Sequence, residues 1–302
     1  MKKTNPNPSR ESSLFSQALI PLLFVLIWTS AFPAAKLGLL DSPPLLFLSV
    51  RFLIAGALLL LWSAAVGQLR WPTRPEWIAL LVVGLFNHAV YLGLSWVGMT
   101  HLSSGMATLI ISANPIVVSL LSRTLLGEPM APRQWLGLFL GFSGVAWVVQ
   151  GRVGGPLDSA LGFAQVALAL CALALGTVLY KRWPVNMHRA ASTGYQILLS
   201  AAALLPVALL MESPAELHLT PRFLWALLWL IGVVSIVGYL LWFSMLEGQA
   251  ASKASAWMFM TPPLGVLAGW WVLNEPLHAQ DLWGIIPVAL GIALVTRSPS
   301  KA

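Results

Sequence analysis

This sequence predicts an all-α integral membrane fold of ten transmembrane helices, arranged as two inverted five-helix repeats. Three observations lead there. Of 302 residues, 58% are hydrophobic and 9% charged, against roughly 45–50% and 25% in a soluble domain. Runs free of Asp, Glu, Lys and Arg cover 210 residues. Motifs in the first half recur in the second at a constant spacing of 147 residues.

The charge-free runs are Ser12–Ala35, Phe52–Leu69, Trp77–Ser122, Gln134–Gly151, Ser159–Tyr180, Ala190–Met211, Phe223–Leu246, Ala254–Asn274 and Leu282–Thr296. A hydrocarbon core takes about 20 apolar residues per helical crossing. Eight runs fit one crossing each, and the 46-residue run from Trp77 fits two with a turn near Gly98–Ser104. Backbone N–H and C=O groups cannot go unpaired in lipid and no run alternates like a barrel strand, so the spans are helices. The segments between them are too short for a soluble catalytic or nucleotide-binding domain. Residues 1–13 read as a cytoplasmic tail. The apolar run after Lys2 and Lys3 exceeds that of a signal peptide and reads as a retained first span. Cys171 is the single cysteine, so no intrachain disulfide forms and no metal framework can be drawn. No cofactor and no metal is expected.

A net charge of +7 would suggest nucleic acid in a soluble chain, but here it reports topology. With alternating spans, 13 of the 17 Lys and Arg residues fall on the side of the N-terminus and 3 on the other, with Arg51 inside a span. Both termini are therefore expected in the cytoplasm, and the expected partners are the bilayer and a small molecule, not nucleic acid.

The repeat is read from Ala107 to Pro115, Leu126-Gly-Glu-Pro129, Gly137 and Gly144-Val-Ala146. Each finds a counterpart 147 positions on, at Ala254, Pro262, Leu273-Asn-Glu-Pro276, Gly284 and Gly291-Ile-Ala293. The first repeat covers 14–151 and the second 156–297, with the boundary near Gly151–Pro156. Five is odd, so the second repeat enters the membrane from the opposite side. Inverted repeats around a midplane site are the architecture of secondary transporters.

With Trp28-Thr-Ser-Ala-Phe32 and Lys36 in the first helix, Arg51-Phe52 in the second and the Pro-x(10–11)-Leu-x-Glu-Pro signature in both halves, the chain resembles the drug/metabolite transporter superfamily, EamA type. Within it, the chain resembles the YddG-type exporters of aromatic amino acids. The resemblance implies a bacterial inner-membrane carrier that moves small metabolites by alternating access. Members of the superfamily also move other amino acids, sugars, nucleosides and drugs, so kinship leaves the cargo open.

Polar groups inside spans are costly and each is a functional candidate. Gly84, His88, Tyr91 and Ser95 share one face of the third helix. His88 lies about 18 Å from the helix start, near the midplane. Ser112 belongs to a matching hydroxyl stripe on the fourth helix, which packing alone also explains. Pro115 and Pro262 each remove a helix hydrogen bond and are candidate hinges. Trp28, Ser30, Tyr180, Tyr239, Trp242 and Trp257 are candidates to line the pathway, the aromatics by stacking a flat substrate. Arg51 is the cation least able to snorkel to headgroups and the candidate partner of a substrate carboxylate.

None of the ten acids lies at a span centre, which disfavours extrusion of lipophilic cations through a buried Glu. Glu128-Pro129 and Glu275-Pro276 read as structural, with Glu at the positive end of the helix that follows. Gly137/Gly141 and Gly265/Gly269 have GxxxG spacing, for packing within the chain or in a dimer. A membrane-embedded enzyme would need a catalytic cluster at one depth, and His88 and His101 stand about 20 Å apart on a straight helix with no central acid. The readings left open are an amino-acid exporter, aromatic cargo favoured, and a nucleoside, sugar or drug exporter, working as a monomer or homodimer. The topology is tested by reporter fusions. Green fluorescent protein after Thr296 is expected to fluoresce, and alkaline phosphatase after Arg152 is expected to be active; the reverse pattern would invert the orientation.

Overall fold

The computed structural model describes residues 8–102, 107, 110–150, 159–265, 267 and 283–296, without side chains at 8–18 and 148–149. Among them all regular structure is helical. In chain order the helices are α1 (Pro8–Gly38), α2 (Pro44–Ala65), α3 (Arg74–Gly98), α4 (Ile110–Leu125), α5 (Pro132–Val149), α6 (Ala160–Arg182), α7 (Arg189–Met211) and α8 (Pro221–Gly248). Then come α9, which opens at Ala251–Ala256 and tightens into a 3₁₀ turn at Trp257–Met260, and α10 (Ile285–Thr296). Six of them, α1, α2, α3, α6, α7 and α8, are long and apolar enough to cross a membrane, while α4 and α10 are shorter. The second Leu-x-Glu-Pro motif, Gly269 and the boundary near Gly151–Pro156 lie outside the described residues.

Local chemistry sets the helix starts. Proline opens α2, α5 and α8, where its missing N–H costs nothing. Thr220 Oγ1 accepts from the Phe223 N–H and Ser159 Oγ from the Gly162 N–H, each at 3.1 Å. The Glu76 carboxylate reaches back to the Thr73 N–H at 2.8 Å, closing a capping box on α3. Two helices leave α geometry midway: α3 widens to a π-helix at Leu85–Val90 and α8 at Leu230–Gly238. These stretches correspond under the 147-residue shift, which pairs His88 with Ser235.

Packing is reciprocal. Helix α2 lies along α7 and α5 along α10, while α3 packs on α6 and α7 and α8 packs on α1 and α2. The α5–α10 contact depends on glycine: a Cβ at Gly137 would stand 2.7 Å from the Gly291 carbonyl oxygen, and one at Gly291 would stand 2.6 Å from the Gly137 oxygen. The Gly137/Gly141 pair therefore packs within the chain, against α10.

Polar ties close both ends of the bundle. At one end Arg222 donates to both oxygens of Asp41 at 2.9 and 2.7 Å, with Thr220 adding a third bond at 2.8 Å. The guanidinium holds the Asp41 carboxyl below its usual range, so the pair stays charged in mild acid and is lost only as pH falls through that lowered value. Beside it Glu212, just past α7, accepts the Leu45 and Leu46 N–H groups and so caps α2. At the other end Glu128 departs from the sequence expectation: it serves not the helix that follows it but the start of α9. Its carboxylate accepts the Ala251 N–H at 3.1 Å and pairs with Lys181 at 3.3 Å. Gly127, at φ +66°, supplies the left-handed turn after α4 that precedes Glu128. The start of α5 is closed by Gln134, which accepts the Ala131 N–H.

Gly291→Leu is expected to cost about 1–3 kcal/mol through overpacking, read as a lower unfolding temperature in detergent. Leu290→Ala, on the exposed face one residue away, is expected to leave it nearly unchanged.

Candidate substrate site

The middle of the bundle collects aromatic rings from several helices. Phe24 and Trp28 of α1 stand 5.4 Å apart, centroid to centroid; Phe24 stacks on Trp242 of α8 at 5.1 Å, and Trp28 meets the edge of Tyr239 at 5.8 Å. His88 lies edge-on to Tyr239 at 4.4 Å, with Phe52 at 6.0 Å and Phe243 at 6.3 Å. Among them is a narrow hollow of about 10 Å³, completed by Asn87, Leu173 and Met258. That is room for about one water molecule, far below the 300–1,000 Å³ usual for ligand pockets, so a ligand enters only when these walls move apart.

The polar atoms on this wall are unsatisfied. Among the described residues, no hydrogen-bond partner is found for both amide atoms of Asn87, both ring nitrogens of His88 and the Tyr239 hydroxyl, all buried. Thr29, Thr261 and the amide oxygen of Asn114 add to the buried set. A buried polar atom without a partner costs about 1–3 kcal/mol, so such a concentration belongs to a surface made to meet something else. The π stretch of α3 helps, because Asn87 and His88 both line the hollow although they are consecutive. Stretches of this kind are frequent at functional sites.

Arg51 lies behind this wall at 2% exposure. Its Nε donates to Ser235 Oγ at 2.8 Å, and its guanidinium carbon stands 5.6 Å from the Phe52 ring centroid. Its charge reaches His88, Tyr91 and Tyr239, and among the described residues it forms no ion pair. No residue lining the hollow is acidic.

A larger recess of about 320 Å³ opens toward the Arg189 end, walled by Leu80, Val83, Tyr180, Lys181, Arg189, Gln196 and Glu247 among others. The Tyr180 and Phe243 rings, stacked at 4.3 Å, separate recess from hollow, since Tyr180 lines the first and Phe243 the second. The Tyr180 hydroxyl donates to Glu247 Oε1 at 2.6 Å and Arg189 pairs with the other carboxylate oxygen.

Of the residues singled out from sequence, the structure brings Trp28, His88, Tyr239 and Trp242 together around the hollow, with Arg51 behind and Tyr180 at the recess. Tyr91 is buried beside them without lining it. Ser30 donates to the Ile27 carbonyl and accepts from the Trp229 indole at 3.0 Å, so its hydroxyl is engaged elsewhere. Ser112 is buried on α4, and Trp257 lies in the 3₁₀ turn, where its neighbour Met258 faces the hollow. Pro115 follows the helix break at Ala113, and Pro262 follows the 3₁₀ turn of α9. Sequence reasoning missed Asn87, Phe24, Phe243, Met258 and Ser235. Ser235 had a signal, since it lies 147 positions after His88.

The sequence matches the EamA-like transporter family twice, over residues 16–150 and 160–297. The chain belongs to that family. It is 30% identical to the Uncharacterized transporter YvbV of Bacillus subtilis (strain 168), over 94% of this chain and 92% of that one. Protein PecM of Dickeya dadantii (strain 3937) is 29% identical over 89% of this chain and 88% of its own. A solved structure titled "Crystal structure of protein" superposes with a TM-score of 0.78 at 21% identity, covering 93% of this chain and 96% of that one, a likeness of fold. The chain is thus a multi-pass membrane transporter.

The separating stack is tested by cysteine accessibility. In a Cys171→Ala background, Asn87→Cys is expected to react slowly with a hydrophilic thiol reagent, and at least fivefold faster once Phe243→Ala is added. Equal rates would show that the stack separates nothing.

Proposed function

We propose that this transporter exports small metabolites that carry a flat ring and a carboxylate, aromatic amino acids among them, by alternating access across a bacterial inner membrane. The carrying observation is that one hollow draws its wall from both matched segments: Phe24, Trp28, Asn87 and His88 from the first, and Leu173, Tyr239, Trp242, Phe243 and Met258 from the second. A site shared by two halves opens to one side or the other as the halves rock.

In this reading the chain has ten spans in two inverted repeats, 14–151 and 156–297, after a cytoplasmic tail of residues 1–13. The reciprocal packing supports it: α3 lies on α6 and α7 as α8 lies on α1 and α2, while α2–α7 and α5–α10 pair with their own counterparts, as a two-fold axis in the membrane plane requires. Both termini are cytoplasmic, so the recess at the Arg189 end faces the cytoplasm and the Asp41–Arg222 end is closed to the outside. The chain is a carrier rather than an enzyme, active as a monomer or as half of a homodimer.

In the hollow, Trp28, Tyr239 and Trp242 stack the ring, His88 and Asn87 hydrogen-bond the polar end, and Arg51 answers the carboxylate. Tyr91 supports His88 from the same helix, Tyr180 guards the entrance, and Ser30, Ser112 and Trp257 form the outer wall. Pro115 and Pro262 are the hinges, each beside an irregular turn.

Proteoliposomes loaded with radiolabelled aromatic and aliphatic amino acids, with and without a pH gradient, test this. Aromatic amino acids are expected to exchange well above protein-free vesicles, and His88→Ala to slow exchange by about tenfold, the loss of about one hydrogen bond to the substrate. Leakage independent of protein would overturn the cargo, and unchanged exchange by His88→Ala would overturn the site.

A further inference from the structure

The charge balance of the site narrows its cargo further. Arg51 brings a positive charge to the centre of the bundle and, among the described residues, its one hydrogen bond goes to the neutral Ser235 hydroxyl. A buried charge left without an opposite charge is strongly destabilising, and among the described residues none that lines the neighbouring hollow is acidic. The unpartnered groups that line it among the described residues, Asn87, His88 and Tyr239, include no carboxylate. They can donate to a carboxylate, but none carries the negative charge that an ammonium group needs.

A ligand can enter this surrounding in three charge states. A carboxylate with no ammonium brings the region to neutrality. A zwitterion cancels Arg51 with one end and returns a positive charge with the other, in the same water-poor space. An arylamine cation adds its charge to that of Arg51. Aromatic faces can attract an ammonium, but here like-charge repulsion from Arg51 opposes that attraction in a region of low dielectric. The rings of Phe24, Trp28, Tyr239 and Trp242, mutually stacked or edge-on at 5.1–5.8 Å, suit an aryl group.

Resting on the carrier reading above, we infer that the preferred cargo is an aryl-substituted monocarboxylate anion that lacks an ammonium group, its carboxylate held at the Asn87, His88 and Tyr239 wall and balanced by the charge of Arg51 behind it. Aromatic amino acids are then the weaker substrates of the same pocket.

Isothermal titration of the full-length protein in detergent, in gluconate buffer at neutral pH, decides this with a matched series. Phenylalanine, 3-phenylpropanoate, 2-phenylethylamine and 3-phenylpropanamide share one ring and differ only in the charged groups attached to it. 3-Phenylpropanoate is expected to bind at least tenfold tighter than phenylalanine, with the amine weakest. Arg51→Gln is expected to lower 3-phenylpropanoate affinity at least tenfold and to leave the neutral amide within about threefold, so loss of the amide as well would mark a folding defect and leave the wild-type series to decide. Phenylalanine binding as tightly as 3-phenylpropanoate, or tighter, overturns the inference while the carrier of aromatic amino acids stands. Saturable binding of chloride that excludes 3-phenylpropanoate assigns Arg51 to inorganic anions and also overturns it. No saturable binding by the whole series, together with no exchange of amino acids in proteoliposomes, overturns both.

Discussion

A hydrogen-bonding group carried into hydrocarbon has to find a partner inside the protein, because the lipid offers none. Away from the centre many groups meet that demand locally, although Ser95, Ser119, Ser122, Gln165 and Gln196 keep a buried polar atom without a partner among the described residues. Ser49, Ser63, Thr177 and Ser200 each return their hydroxyl to the carbonyl one turn back, at 2.7–2.8 Å. Glu212 and Glu128 settle the free N–H groups at the starts of α2 and α9. At the centre, among the described residues, the demand goes unmet at Asn87, His88 and Tyr239, while Arg51 donates to the Ser235 hydroxyl. What sets the centre apart is that these unpartnered groups line one hollow together with stacked aromatic rings.

The ends of the bundle are built differently. At the Asp41 end, a bidentate ion pair and a carboxylate cap tie the first matched segment to the second within a few residues of each other. At the Arg189 end, Glu247 divides its two oxygens between Tyr180 and Arg189 on the wall of an open recess. Closure at one end and a recess at the other, with a collapsed hollow between, give the molecule a direction.

Much of this was legible in the sequence, for physical reasons that can be named. Helix positions follow from charge-free length, because charge in lipid is expensive and apolar length must match the bilayer. His88 stood out as the ionisable group farthest from any span end in its run. The widening of α3 and α8 did not show, because it depends on how neighbouring helices press on the turn rather than on any residue type. Asn87 was hidden by the same cause: on a regular helix it faces elsewhere than His88. Phe24 and Phe243 are two among twelve phenylalanines, and only packing separates a wall residue from a lipid-facing one. Ser30 reads as a free hydroxyl until Trp229, 199 positions away, is seen to donate to it. Glu128 reads as a cap for its own helix until the left-handed turn at Gly127 is seen.

The glycine contact between α5 and α10 carries a mechanical consequence. Where a Cβ would meet carbonyl oxygen at 2.6–2.7 Å, the two backbones already touch, and neither helix can slide or roll without collision. This seam therefore has no room for a side chain, and it fastens the fifth helix of the first matched segment to its counterpart in the second without any polar bond between the two glycines.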